Sequence, residues 1–134
     1  METTITLSNA DGSAFKGVAR LVAKGEPPDW LLRGLEHFSA GIGADREDQY
    51  RDVRREICAA VIIEAWKLLH GEAEPRSESF EQACADYWQA CGGEEIGETN
   101  DPSNWRWSIE RALKKAEGYQ WVNKVLTMAR NAPE

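Results

Sequence analysis

Cysteine and histidine are scarce in this sequence, which contains three cysteines and two histidines in 134 residues. Cys58, Cys84 and Cys91 are an odd number and form no CxxC pair, so the sequence indicates neither a disulfide framework nor a zinc finger. Unpaired thiols are typical of a reducing compartment. We therefore predict a cytoplasmic protein that uses its cysteines in the core and binds no metal.

Long apolar runs are also missing. The longest, Ile57 to Leu69, is interrupted by Glu64 and Lys67 and is shorter than the roughly 20 residues that span a bilayer. The sequence does not open with a basic start and an apolar segment, so we expect no secretion signal and no membrane partner. Because 42% of the residues are apolar and six are tryptophan, the composition supports a folded core. We predict a single helical domain over residues 1–134.

The common catalytic and nucleotide-binding motifs are absent as well. No GxxxxGK[ST], HExxH, GxSxG or EF-hand pattern occurs, which removes the usual sequence support for phosphate, metal, acyl-transfer or calcium chemistry. Gly41 and Gly43 begin like a dinucleotide fingerprint, but Arg46 stands at the position of the third glycine and a helix is predicted before them. We expect a non-enzymatic protein that needs no cofactor.

Basic residues are nearly missing from one stretch, residues 72–101. The whole chain has a formal net charge of −7, and this stretch has nine acids against a single base, Arg76. The nine acids are Glu72, Glu74, Glu78, Glu81, Asp86, Glu94, Glu95, Glu98 and Asp101. A field of one sign attracts an oppositely charged partner and repels nucleic acid. The acids of residues 92–101 leave a calcium site as an alternative, although the alternating Asp/Asn pattern of such loops is missing.

The spacing of apolar residues predicts helices through most of the chain. The expected ranges are 13–24, 28–43, 46–70, a helix from a Ser77 or Ser79 cap to Gly92, and 102–130 with a kink or break at Gly118. Thr3 to Leu7 alternates in the manner of one short strand. We predict an all-α fold of about five helices around the central helix 46–70. Its first half should be amphipathic, with Val53 and Ile57 on the apolar face, and its second half buried.

Glu64 is the most unusual single residue, because helical periodicity places it on the apolar face of the central helix. A buried carboxylate either has a raised pKa and acts in acid-base chemistry or pairs with an arginine from another helix, and structural pairing is the commoner case. A small enzyme or metal-dependent protein that uses Glu64 with cysteine or histidine partners is therefore the alternative to a binding protein.

The last helix adds Arg106 and two tryptophans of different character. Trp105 falls on the apolar face of this helix and should be buried, whereas Trp107 lies off that face and is the better candidate for an exposed anchor. An exposed tryptophan next to an arginine is a composition typical of protein interfaces. A helical homo-oligomer that joins through such tryptophans is a third alternative.

The size, acidity and lack of a catalytic signature resemble, as a class, small inhibitors and immunity-type proteins of bacteria and their mobile elements. We therefore predict a protein-binding module that places its acidic surface on a basic partner, such as the nucleic-acid site of a larger protein, and blocks it. The predicted binding residues are Glu72, Glu74, Glu78, Glu81, Glu94, Glu95, Glu98, Asp101, Arg106 and Trp107.

Overall fold

The computed structural model describes residues 15–43, 51–71, 77–92 and 104–132. Within these ranges every regular element is helical, which confirms the all-α class. The elements are α1 (15–23), α2 (Asp29–Gly43), α3 (Arg51–His70), α4 (Glu78–Ala90), α5 (Trp105–Lys114), a 3-10 turn (Ala116–Tyr119) and α6 (Gln120–Asn131). The predicted strand Thr3–Leu7 and the predicted start of the central helix near residue 46 lie outside the described residues.

The central helix is α3, which packs against α2, α4, α5 and α6. Its residues from Cys58 to Trp66 are buried without interruption, because neighbouring helices surround this half of α3. The largest side chains of the core, Trp88 and Trp105, come from α4 and α5 and lie edge to face with their ring centroids 5.8 Å apart. No helix among the described residues combines the length and the apolar character that crossing a membrane requires.

The first half of α3 corrects the predicted amphipathic pattern. Val53 is 51% exposed, whereas the three charged residues that follow it, Arg54, Arg55 and Glu56, are buried. The guanidinium carbon of Arg55 lies 4.1 Å from the centroid of the Trp105 ring, so a planar cation packs here as an aromatic side chain would. The prediction assumed that charged residues face water. It was wrong here because the indole rings of α4 and α5 cover the arginines.

Two helix ends show why the chain turns where it does. Ser77 is the N-cap of α4, and its hydroxyl accepts a hydrogen bond from the backbone N–H of Phe80 at 3.1 Å. Of the two predicted caps, Ser77 is the one used. Gly71 follows α3 with φ +72°, a left-handed conformation that glycine adopts without steric cost, and its N–H donates to the Lys67 carbonyl.

The predicted break at Gly118 is confirmed, since a 3-10 turn separates α5 from α6. The buried carboxylate of Glu56 fastens this turn to α3. It accepts a hydrogen bond from the Tyr119 hydroxyl at 2.7 Å and pairs with the Lys115 ammonium at 3.1 Å. Burial, together with the Glu56 carboxylate, raises the pKa of the Tyr119 phenol. The turn allows α6 to change direction and pack against α2 and α3.

Candidate interaction surface

The beginning of α4 lies beside α5, and the two helices form a groove of about 290 Å³. Its lining consists of Ser77, Glu78, Glu81, Arg106, Ile109 and Glu110. Ile109 supplies the apolar part, and Glu78 and Glu110 are exposed to solvent. With three carboxylates and one guanidinium in its lining, the groove carries a negative charge.

Local sequence signals bring these residues together. The Ser77 cap sets the start of α4, so Glu78 and Glu81 fall in its first turn, where the helix dipole favours acids. On α5, Ile109 and Glu110 follow Arg106 by three and four residues, so all three lie on one side of that helix. The side of α5 that faces α4 is thus polar at both ends and apolar between them.

Glu81 and Arg106, both predicted as binding residues, pair with each other. The Arg106 Nε donates to the Glu81 carboxylate at 3.1 Å, and this carboxylate is nearly buried while the arginine stays largely exposed. The Arg106 guanidinium thus already neutralises the Glu81 carboxylate. Glu81 therefore holds Arg106 in position rather than facing a partner. Glu78 remains the exposed acid of the α4 first turn.

Trp107 projects from α5 beside this groove. Its side chain is 75% exposed, while Trp105, two residues earlier, is fully buried. Both exposures match the sequence prediction. Trp107 and Glu110 are three residues apart and are therefore neighbours on the helix surface, so the exposed indole borders the acidic rim. Tryptophan is enriched among the residues that carry most of the binding energy at protein interfaces, so Trp107 is a candidate anchor for a partner.

The remaining six predicted binding residues lie outside the described residues. They are Glu72, Glu74, Glu94, Glu95, Glu98 and Asp101. In the sequence, residues 72–76 directly precede Ser77, and residues 93–103 directly precede Asn104. Ile109 and Glu110 were not predicted as site residues, although their spacing from Arg106 places them on the same side of α5.

No protein family, curated protein or solved structure matches this chain.

Glu64, which the enzyme hypothesis requires, is buried and hydrogen bonded. Its carboxylate accepts from the Asn123 amide of α6 at 3.0 Å and lies 3.5 Å from the Lys67 ammonium one turn along α3. The predicted arginine partner was therefore wrong. The carboxylate contacts the Asn123 amide of α6 and the Lys67 ammonium of α3 instead. Such a set of contacts stabilises helix packing, as most buried carboxylates do.

The cysteines and His70 are likewise engaged in packing. Burial raises the pKa of the Cys58 and Cys84 thiols, which keeps them protonated and poorly nucleophilic. One nitrogen of the His70 ring lies 2.6 Å from the Val22 carbonyl, which ties the end of α3 to α1. Within the described ranges no three His, Cys, Asp or Glu side chains are placed to share a metal ion.

Proposed function

We propose that this protein is a non-enzymatic binding module of the inhibitor or immunity type, which places the α4/α5 groove and Trp107 on a basic protein surface. The observation that carries the proposal is the exposed indole beside an acidic rim. A tryptophan that inserts into a partner supplies most of the binding energy of many interfaces, while surrounding carboxylates select a cationic partner.

The charge distribution supports a partner that is itself basic. Glu78 and Glu110 are exposed, and the sequence carries six further acids in residues 72–76 and 93–103. Opposite charge would accelerate association at low salt and would disfavour acidic competitors. A nucleic-acid-binding surface is a basic surface of this kind, and covering it would block it. The three free thiols suit the reducing cytoplasm, where we place this interaction.

The test compares two double variants in capture of host proteins by the immobilised chain. The test variant is Glu78→Lys with Trp107→Ala. The matched control is Asp29→Lys with Met128→Ala, because Asp29 occupies the first turn of α2 as Glu78 does that of α4, and Met128 is 69% exposed. Each variant thus changes the net charge by +2, places a lysine in the first turn of one helix and truncates one exposed apolar side chain.

We expect wild type and control to retain a Lys/Arg-rich protein whose association slows as salt rises. The test variant should bind it at least about tenfold more weakly, since both the anchor and the steering charge are lost. Equal capture by both variants, or capture that ignores salt, would refute the proposal. If light scattering instead finds a dimer that Trp107→Ala converts to a monomer, the tryptophan joins copies of this chain and the oligomeric alternative is correct.

A further inference from the structure

A second groove lies on other helices, between α2, the start of α3 and the start of α6. It has a volume of about 360 Å³, within the range of small-molecule sites. Its apolar walls include Phe38, Ile42, Ile57 and Trp121, and the rings of Phe38 and Trp121 meet edge to face at 5.7 Å. It shares no lining residue with the α4/α5 groove among the described residues.

Arg54 gives this apolar groove a charge. Its side chain is only 5% exposed, yet it lines the groove. The Nη1 atom donates to the Ile42 carbonyl at 3.1 Å, and the guanidinium carbon lies 5.5 Å from the centroid of the Trp88 ring. The Nε and Nη2 atoms are buried and have no hydrogen-bond acceptor among the described residues.

The buried guanidinium of Arg54 lacks an anionic hydrogen-bond acceptor among the described residues. Guanidinium groups do not lose their proton in proteins, and a buried cation without a counter-charge is destabilising. The described lining of the groove contains no carboxylate. Buried donors are nearly always paired, so two free nitrogens of one guanidinium beside an apolar cavity indicate a ligand with oxygen acceptors.

We propose that this groove binds a compact amphipathic carboxylate, independently of the protein-binding function. The apolar part of the ligand packs between Phe38, Ile57 and Trp121, and the carboxylate accepts hydrogen bonds from Arg54. Protein atoms cover the free nitrogens of Arg54, so a ligand reaches them only when side chains at the rim of the groove move. Val53 and Trp121 are 51% and 46% exposed, and these two rim side chains have solvent into which they can move aside.

The test uses indole-3-acetate, phenylacetate and octanoate, each compared with its neutral primary amide. Shape and apolar area are nearly the same within each pair, so the comparison isolates the charge that Arg54 recognises. Binding is followed by NMR through the indole N–H signal of Trp121, assigned with Trp121→Phe. We expect at least one carboxylate to shift this signal and to bind about tenfold or more tightly than its amide.

Two variants locate the site. Arg54→Met keeps the length and apolar contacts of the side chain and should abolish the preference for the carboxylate. Val53→Trp alters an exposed rim position and should weaken all ligands by obstructing the groove while leaving Arg54 in place. Because the comparison of acid with amide needs only the wild-type chain, it remains decisive if Arg54→Met fails to fold.

Three outcomes would overturn the proposal: equal affinity for acid and amide, a carboxylate preference that survives Arg54→Met, or no shift of the Trp121 signal with any probe up to about 10 mM. None of these bears on capture by the α4/α5 groove, so the two proposals fail separately.

Discussion

At the scale of the residue, Glu64 is held by groups from two helices. The Asn123 amide approaches from α6, and Lys67 lies on the next turn of α3. The carboxylate is 3% exposed, so solvent cannot replace a lost partner. Removing one member of a buried polar pair therefore costs more than removing both.

We predict that Asn123→Leu and Glu64→Met each lower the free energy of unfolding by about 1–3 kcal/mol. The double variant should lose less than the sum of the two single losses, by about 1 kcal/mol or more, because neither buried group is then left without its partner. Urea unfolding of the four proteins measures this cycle. Strict additivity would show that the contact between Glu64 and Asn123 contributes nothing.

At the scale of the element, the approach of α6 to α2 depends on Gly34. A Cβ atom at this position would lie 2.5 Å from the Cδ2 atom of Leu126, whose side chain is fully buried. Carbon atoms do not approach so closely, so any side chain at Gly34 would push the two helices apart or force Leu126 from its conformation.

Gly34→Ala should therefore lower the free energy of unfolding by about 1–3 kcal/mol despite the better helix propensity of alanine. Gly41→Ala is the control in the same helix, since a Cβ there meets nothing within 4 Å, and it should be neutral or stabilising by up to about 1 kcal/mol. Thermal unfolding compares the two. A Gly34→Ala protein as stable as Gly41→Ala would contradict the close approach of α2 and α6.

Sequence signals were sufficient where the cause is local. The weak helix position at Gly118 and the different faces of Trp105 and Trp107 depend on residues within one or two turns, and both predictions were confirmed. The start of α4 was narrowed to two serine caps, of which the structure uses Ser77. The predicted burial of the second half of α3 was confirmed for Cys58 to Trp66, where apolar residues predominate, but Lys67 is exposed and Leu68 to His70 are only partly buried.

Sequence signals failed where contacts with distant elements determine whether a charged residue is buried and what it pairs with. Arg54, Arg55 and Glu56 are buried because indoles from α4 and α5 and the turn before α6 cover them, and no helical pattern predicts that. Likewise, Glu81 is 25 residues from Arg106 and Glu64 is 59 residues from Asn123. The α4/α5 groove was therefore predicted as a set of acids but not as a pair of helices with an ion pair between them.

At the scale of the whole molecule, several buried groups share one response to alkaline pH. Burial raises the pKa of Cys58, Cys84 and Tyr87 above the ordinary values of 9.0 for a thiol and 10.0 for a phenol. In the unfolded chain these groups lose their protons first. Their contribution to stability is thus complete below about pH 8, and it is lost as the pH rises through the ordinary values toward the raised ones.

We predict that the free energy of unfolding, measured with urea under reducing conditions, falls between pH 8 and pH 10.5. Each such group adds a limiting slope of about 1.4 kcal/mol per pH unit once its unfolded form is ionised. Cys84→Ala should make the decline shallower, whereas Val61→Ala, a buried substitution that removes no titratable group, should lower stability equally at every pH and serves as the control. A stability that stays constant over this range would contradict the burial of these groups.

The contact between Glu64 and Asn123 has a consequence for synthesis of the protein. The two residues are 59 positions apart, so a nascent chain that has completed α1 through α5 still lacks the amide that meets this carboxylate and the leucine that fits over Gly34. The seam that α6 forms with α2 and α3 can close only after α6 has left the ribosome. The packing of Glu64 and Gly34 is therefore incomplete while only α1 through α5 have emerged.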